Sequence, residues 1–467
     1  MTAVLGISDA ISIDTRVDAS RVDDLDFDCL KCDATVPALA PVVGADEQVP
    51  TTRGGVRYAN LDYAASAPAL RSVADTVTAV LGQYASVHRG AGHLSQVTTA
   101  RYEQAREVVR DFVRGRRDDA VVFTRNTTDA INLAAHITPG DVVVLDIEHH
   151  ANLLPWCRTT ADGTTRARVV TARATIAETI DALDEELSRK PAALLTVTAA
   201  SNVTGEVLPI GRLASLAHRH GARILVDAAQ LVAHRPVSIV SHGIDYLVFS
   251  GHKLYAPFGA GVLVGRQDWL DAAEPYLAGG GATAAVGISD IPAEDRSEAD
   301  VAWHVGPARH EAGTPNVLGV VSIAAACSTI REIGCEAIGV HESALVGRFD
   351  DGLASIPGIK PLRIFDDADA DRVGIAGFVV DGYTPRQVAE YLSDHHGIGV
   401  RDGKFCAHPV LNRLGYPDGA VRASFGLGTS SADIDRLLAA LTELTAAQGN
   451  SGSTRHRPVH IHEENHS

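Results

Sequence analysis

Asp227 ends a short apolar run, Lys253 follows shortly after another such run, and 26 positions separate the two residues. A lysine can form a Schiff base with an aldehyde, and a carboxylate can keep a pyridine nitrogen protonated so that the ring acts as an electron sink. A lone lysine would mean little, because most lysines are solvated surface charges. Together the two residues predict a site for pyridoxal phosphate (PLP), and this prediction depends on the residues around them.

Further polar residues follow other apolar runs, at points where strands would end. They are Asn126-Thr127-Thr128, Glu148-His149-His150, Ser201-Asn202, and Ser250 with His252. Hydroxyls and free N–H groups at a helix start can hold a phosphate, although plain helix capping is their commoner role. His149 could stack on a cofactor ring or be an ordinary loop histidine. Asp227 and Gln230 lie three positions apart, so both can face one crevice.

Six nearly all-apolar runs predict strands that are buried on both faces of a sheet. They are residues 121–124, 142–145, 194–197, 224–227, 246–249 and 261–264. Amphipathic stretches between them, such as residues 128–135 and 212–220, predict covering helices. The fold class is therefore α/β with a mostly parallel central sheet, and the carboxyl ends of its strands would bring the polar residues together.

Changes in composition and in hydrophobic periodicity along the sequence predict four parts. Residues 51–318 would form a large PLP-binding domain, and residues 319–447 a smaller α+β C-terminal domain that carries Cys406. Residues 1–50 are rich in Asp, Pro, Val and Ala without a clear period and would be a flexible acidic arm. Residues 448–467 would be a flexible His-rich tail.

Composition argues against several classes of protein. The 467 residues carry a formal net charge of -17, whereas a general nucleic-acid binder needs clustered Lys and Arg. No apolar stretch approaches the roughly 20 residues of a membrane span. The N-terminus lacks the basic start and apolar core of a secretory signal, so we predict a cytoplasmic protein. Six scattered cysteines favour free thiols over a disulfide framework.

Residues 55–445 carry a series of ordered motifs: LDYAASAP (61–68), VHRG (87–90), EHHAN (148–152), PW (155–156), SNV (201–203), VDAAQ (226–230), SGHKLY (250–255), EAGTPN (311–316), RDGKFCAHP (401–409) and VRAS (421–424). In these motifs the sequence resembles the fold-type I, class V aminotransferase-like PLP enzymes, and within that group the SufS-type (group II) cysteine desulfurases. The resemblance implies a PLP-dependent transferase that works as a homodimer.

The resemblance also implies a role for each site residue. Lys253 would carry the Schiff base and move the substrate proton, His149 would stack on the ring, Asp227 would bind the pyridine nitrogen, and Gln230 the phenolate oxygen. The residues that would hold the phosphate are Thr127, Thr128, Ser250 and His252, with Gly313 and Thr314 from the other subunit. The residues that would bind the substrate are Asn202, Arg401, Arg422, His88 and Arg89.

Cys406 decides between reactions. Aminotransfer needs no thiol, whereas desulfuration needs a nucleophile that takes sulfur from the substrate, and a thiolate does this near neutral pH. Lys404 and Arg401 lie near Cys406 in the sequence and could favour the thiolate; otherwise Cys406 is an inert loop residue. The resemblance implies conversion of L-cysteine to L-alanine with a persulfide on Cys406, and sulfur transfer to an acceptor protein in iron–sulfur cluster assembly.

Three departures from the resembled pattern lie around the substrate mouth. Lys404-Phe405 replaces a His pair, Phe425-Gly426-Leu427-Gly428 stands where the pattern has an aromatic residue and Asn, and the stretch 279–310 is longer. A C–S lyase, an epimerase or an aminotransferase-like enzyme therefore stays open as an alternative. The alternative from outside the enzymes is a protein with this fold that catalyses no reaction. The complete set of Asp227, Lys253 and Arg422 argues against this alternative.

Cys29 and Cys32 have the spacing of a metal-ligand pair, and the tail adds His456, His460, His462 and His466. These residues could together bind a zinc ion that joins the two ends of the chain. A single Cys-x-x-Cys pair in an acidic arm is a weak signal, however, and a His-rich tail can simply be solvated. We therefore predict no metal site.

Overall fold

The computed structural model describes residues 35–158, 166–287, 300–368 and 370–451. Cys29, Cys32 and the histidines of the tail lie outside them. The described N-terminal segment forms a hairpin of β1 (Gln48–Thr51) and β2 (Gly54–Arg57), followed by β3 (Ala59–Asn60). Val36 donates to the Ser431 hydroxyl and accepts from its N–H, so residues 36–50 are tied to the C-terminal part. The predicted flexible arm covered residues 1–50, and these contacts hold its last part, residues 36–50, against the C-terminal part.

A seven-stranded sheet forms the centre of the larger part of the chain. Its strands are β4 (Asp119–Thr124), β5 (Val142–Leu145), β6 (Ala167–Val170), β7 (Leu194–Thr198), β8 (Arg223–Asp227), β9 (Tyr246–Ser250) and β10 (Gly261–Arg266). The strand order is β4-β10-β9-β8-β7-β5-β6, and β10 alone runs antiparallel to its neighbours. The predicted α/β class with a mostly parallel sheet is confirmed.

Helices cover both faces of this sheet. They are α1 (Arg71–Leu81), α2 (His93–Phe112), α3 (Thr127–Ile137), α4 (His150–Leu153), α5 (Ile176–Arg189), α6 (Ile210–Arg219), α7 (Ile239–His242), α8 (Gln267–Ala272) and α9 (Val317–Ile333). Successive residues of β5 alternate between two hydrophobic cores: Val143 belongs to one, and Val142 and Val144 to the other. This two-sided burial explains why the strand sequences are apolar throughout.

All six predicted strands form, within two residues of the expected bounds. The strand β6 was not predicted from the sequence. It lies at the edge of the sheet, and only Val170 of its four residues is fully buried, so its sequence lacks the continuous apolar run of the inner strands. The 3-10 turns Gly251–Lys253 and Gly306–Arg309 follow β9 and precede α9 respectively.

The C-terminal part has its own sheet and core. After the hairpin β11 (Thr283–Gly287) and β12 (Asp300–Trp303), a four-stranded antiparallel sheet has the order β13-β14-β17-β16. The remaining elements are α10 (Cys335–Ala354), β13 (Ile359–Pro361), β14 (Ile375–Val380), α11 (Pro385–His396), β15 (Ile398–Gly399), β16 (Arg401–Gly403), α12 (His408–Arg413), β17 (Ala420–Ser424) and α13 (Ser431–Ser451). Phe349, Phe378 and Phe425 pack together in this core.

Backbone pairing is one of the ways in which the C-terminal part is joined to the rest of the chain. The strand β15 pairs with β3 in parallel, and Ser424 at the end of β17 donates from its N–H to the carbonyl of Leu61. These contacts place β16 and β17 at the carboxyl edge of the central sheet. Among the described helices, none alone is long and apolar enough to cross a membrane; α9 and α10 meet those criteria only as a pair, bent by 83°.

Candidate active site

A cavity of about 520 Å³ opens at the carboxyl edge of the central sheet. The loops after β4, β5, β7, β8 and β9 line one side of it, and the segment 401–408 of the C-terminal part lines the other. The structure brings twelve of the predicted site residues to this cavity: Thr127, Thr128, His149, Asn202, Asp227, Gln230, Ser250, His252, Lys253, Arg401, Cys406 and Arg422.

Lys253 and Asp227 both line this cavity. Asp227 is 5% exposed and accepts a hydrogen bond from the N–H of Ala229 at 3.0 Å. Burial raises the pKa of Asp227 and lowers the pKa of Lys253, and the attraction between the two charges opposes both changes. Gly251 allows the tight turn before Lys253, because a Cβ there would lie 2.9 Å from the carbonyl oxygen of Ala256. The pair can therefore hold a cationic ring nitrogen beside a reactive amine.

The start of α3 forms one end of the cavity. Thr127 donates from its N–H to the Ser250 hydroxyl at 2.7 Å, and the two hydroxyls lie 2.6 Å apart. Asn126 caps the helix by accepting from the N–H of Asp129 at 2.9 Å. Free N–H groups and hydroxyls at a helix N-terminus suit a phosphate dianion. With Asp227 and Lys253 beyond them, the donor set fits PLP.

His149 lies between β5 and α4 on the cavity wall. Its Nδ1 accepts from the N–H of Ala151 at 3.0 Å, so the ring proton sits on Nε2. Burial, with the charge of Lys253 second, lowers the pKa of His149 to about 3. The ring is thus neutral at neutral pH, which avoids charge repulsion with a protonated cofactor ring. Burial and the charge of Lys253 likewise lower the pKa of His252 to about 4.

Glu148 is a buried acid that the sequence marked only as a strand-end residue. It has no exposed surface and accepts from the Asn152 side chain at 2.7 Å and the N–H of Thr198 at 2.9 Å. Asn152 in turn accepts from the Thr196 hydroxyl at 2.6 Å. This network joins α4 to β7 behind His149. Burial raises the pKa of Glu148 to about 8, although the hydrogen bonds from Asn152 and Thr198 act to lower this pKa.

Replacing Glu148 with glutamine should make the free energy of unfolding less dependent on pH. Because the pKa of Glu148 is raised from 4.5 to about 8 on folding, its protonated form stabilises the fold below pH 4.5, and this contribution is lost as the pH rises towards 8. The wild type should lose about 1.4 kcal/mol per pH unit from this group in that window.

Urea unfolding at several pH values measures this slope. Glu148→Gln should lack it, while Glu185→Gln, a change on the exposed face of α5, should keep the wild-type slope. Equal slopes for Glu148→Gln and wild type would show that Glu148 is ionised in the fold.

The side-chain amide of Gln230 already makes one hydrogen bond within the protein. Its amide nitrogen donates to the carbonyl of Ala64 at 2.8 Å. An amide has two N–H donors, so one is left for the phenolate oxygen that the sequence assigned to it. Ala64 belongs to the segment 61–68, which also lines the cavity. The contact therefore orients Gln230 towards the predicted ring position without using its whole capacity.

Cys406 sits on a strained turn at the cavity mouth. Phe405 and Cys406 both have φ near 52°, in the left-handed region that non-glycine residues seldom adopt. The Asn202 side chain donates to the carbonyl of Phe405 at 2.8 Å, and His150 donates from its N–H to the carbonyl of Cys406 at 2.8 Å. The thiol is exposed, and Cys406 lines the cavity together with Lys253 and Arg422. The turn presents a reachable nucleophile to the cavity.

Arg422 lies opposite Arg401 in the register of β16 and β17 and is 3% exposed. It donates to the carbonyl of Asn202 and to the Asp62 carboxylate, each at 2.9 Å. Burial lowers the pKa of Arg422, and Asp62 opposes this effect. Asp62 belongs to the motif at residues 61–68, but the sequence alone predicts no role for it. It holds the guanidinium towards the cavity.

Four predicted residues lie elsewhere in the single chain. His88, Arg89 and Gly313 line a second cavity of about 540 Å³, and Thr314 is exposed next to it. Arg89 donates to the carbonyls of Gly280 at 2.6 Å and Gly313 at 3.4 Å, and the His88 ring lies 2.9 Å from the Glu103 carboxylate. The contact of Gly313 and Thr314 with the phosphate of another subunit stays a prediction, as does substrate binding by His88 and Arg89.

The departure at Gly426 and Gly428 has a packing explanation. A Cβ at Gly426 would lie 2.3 Å from the ring of Tyr63, and one at Gly428 would lie 2.6 Å from its hydroxyl. Leu427 donates from its N–H to the Tyr255 hydroxyl at 2.9 Å. Tyr63 thus fills the space that larger residues would need, at the wall behind Asp62.

Within the described ranges, no group of three or more His, Cys, Asp or Glu side chains is arranged to hold a metal ion. The suggested zinc ligands at the two ends of the chain lie outside those ranges. The four described cysteines, Cys157, Cys327, Cys335 and Cys406, are free thiols.

Comparisons with known proteins agree with this geometry. The model of the aminotransferase class-V family matches residues 59–437. A cysteine desulfurase of Klebsiella pneumoniae is 35% identical over 398 residues, which cover 84% of this chain and 94% of the relative. One of Dickeya dadantii is 36% identical over 401 residues, covering 83% and 92%. The apo structure of a cysteine desulfurase from Thermococcus onnurineus NA1 superposes with a TM-score of 0.74 at 32% identity, covering 86% of this chain and 98% of that one.

Proposed function

The chain belongs to the aminotransferase class-V family of fold-type I PLP enzymes, and from this premise we propose that it is a PLP-dependent cysteine desulfurase with Cys406 as the sulfur acceptor. The observation that carries the proposal is an exposed thiol on the wall of the same cavity as Lys253, Asp227 and Arg422. A thiol in that place has no part in aminotransfer. The subgroup, group II, stays a prediction from the motifs.

The residues divide the reaction between them. PLP, when bound, supplies an electron sink for the pair that the substrate's Cα–H bond leaves behind. Lys253 takes that proton, and the burial that lowers its pKa increases the fraction of neutral amine. Arg422 binds the substrate carboxylate, with a remaining N–H of Asn202 beside it. Asp227 holds the ring nitrogen, and the neutral His149 lies against the ring.

Cys406 completes the reaction as a nucleophile. Its thiolate attacks the sulfur of L-cysteine; an S–S bond forms as the substrate's C–S bond breaks, and the carbon skeleton takes up a proton to become L-alanine. The enzyme keeps the sulfur as a persulfide on Cys406. Because the thiol is exposed, a second thiol from an acceptor protein can reach this sulfur. Delivery to iron–sulfur cluster assembly in the cytoplasm stays part of the proposal.

Mass spectrometry tests the persulfide directly. After incubation with L-cysteine without reductant, followed by alkylation, the peptide that contains Cys406 should carry one additional sulfur atom. Cys157, an exposed thiol outside the cavity, serves as the internal control and should carry none. Additional sulfur on Cys157 alone, or on neither residue while sulfide is released, would contradict the role of Cys406.

The active unit should be a homodimer in which PLP retention depends on dimerisation. His88, Arg89, Gly313 and Thr314 do not line their own chain's cavity, and Gly313 and Thr314 resemble the segment that completes the phosphate site of a neighbouring subunit. On dilution, loss of PLP should therefore track dissociation, measured by absorbance and sedimentation on the same samples. A monomer with full PLP occupancy would rule this out.

A further inference from the structure

Arg422 has a donor without a partner. Two of its five N–H groups donate to Asn202 and Asp62, but Nε is buried and has no hydrogen-bond partner within the described part of the chain. A buried guanidinium N–H without an acceptor costs free energy, so its presence in a cavity wall points to a ligand acceptor. For an arginine that acceptor is best a carboxylate.

Phe405 contacts the same guanidinium. The guanidinium carbon of Arg422 lies 5.1 Å from the centroid of the Phe405 ring, over its face. Phe405 is 8% exposed, so the contact is largely shielded from water, and such shielding strengthens the attraction between a cation and an aromatic ring. The ring occupies no N–H group of Arg422. It can therefore fix the position of the guanidinium and leave the free donors available.

The backbone of Phe405 is anchored to the same partners. Its carbonyl accepts from the Asn202 side chain, while the Asn202 carbonyl accepts from Arg422. The φ of 52° at Phe405 is unfavourable for an aromatic residue and persists only if surrounding contacts hold it. Ala407 donates from its N–H to the carbonyl of Lys404 at 2.9 Å and closes the turn. Asn202 thus links Arg422 to the turn that carries Cys406.

We propose that Phe405 is a positioning residue for substrate binding: its ring holds Arg422 for the α-carboxylate of the amino acid, while its backbone places the adjacent Cys406. The inference rests on the proposed function for the identity of the substrate, but not for the carboxylate contact itself. It gives a role to the position at which this chain departs from the resembled pattern.

The matched variants are Phe405→Leu, which keeps an apolar side chain without a ring, and Phe405→Tyr, which keeps the ring. Phe405→Leu should bind L-alanine about tenfold more weakly, as followed by the visible absorbance of bound PLP, and should raise the KM for L-cysteine by a similar factor with a smaller change in kcat. Phe405→Tyr should stay within about twofold of wild type.

L-alaninamide separates a specific effect from a general one, because it lacks the carboxylate. Its affinity should be the same in Phe405→Leu and wild type. Unchanged L-alanine affinity in Phe405→Leu, or an equal loss for both ligands, would overturn the proposal. If Phe405→Leu does not fold with PLP, Phe405→Met replaces it. Titration with L-alanine requires no sulfur chemistry, so a wild type without desulfurase activity would defeat the proposed function and leave this test intact.

Discussion

Lys253→Ala should no longer attach PLP covalently. It should release sulfide from L-cysteine more slowly than wild type, by a factor of about 10² to 10⁴. Lys253 lines the cavity together with Asp227 and Arg422, and its charge interacts with that of Asp227, as a lysine that forms a Schiff base with PLP requires. Reduction with borohydride followed by mass spectrometry measures the attachment, and a sulfide assay measures the rate.

Lys404→Ala is the matched control, because Lys404 also lines the cavity but is exposed and precedes Cys406. It should keep the attached cofactor. If the Lys253→Ala protein still bound PLP covalently after reduction, Lys253 would not be the Schiff-base lysine. The proposed PLP site at the carboxyl edge of the central sheet would then be wrong.

Cys406→Ala should separate binding from chemistry. Lys253, Asp227 and Arg422 are untouched, so the variant should hold PLP and still change its visible absorbance when L-cysteine is added. Sulfide release should fall by about a thousandfold or more, since no positioned nucleophile remains. Cys157→Ala removes an exposed thiol outside the cavity and should leave the rate unchanged.

The same variant distinguishes an eliminating lyase from a desulfurase. β-Elimination needs removal of the α-proton and a leaving group, and neither depends on Cys406. Sulfide release by Cys406→Ala within about threefold of wild type would therefore defeat the desulfurase account while leaving the PLP site in place.

Much of the sheet, and the meeting of polar residues at its carboxyl edge, could be predicted because both follow from local sequence. Each inner strand is buried on two faces and reads as an apolar run, and parallel strands bring their carboxyl ends to one edge. Asp227, Ser250 and Lys253 are therefore neighbours by topology alone. The strand β6 escaped prediction because its edge position removes the apolar signal.

Contacts between distant parts of the chain could not be predicted in this way. Asp62 meets Arg422 across 360 positions, and Asn202 meets Phe405 across 203. No spacing rule reports such pairs; they arise where β17 and the 401–408 segment dock against the central sheet. Glu148 was visible as a residue, but its buried network depends on α4 folding back over β7.

The products formed from L-cysteine test the central claim most directly. Purified protein with PLP, L-cysteine and a thiol reductant should release sulfide and L-alanine in equal amounts, because sulfur leaves through Cys406 and the carbon skeleton is protonated. Sulfide accompanied by pyruvate and ammonia instead of L-alanine would contradict the account and identify an eliminating lyase.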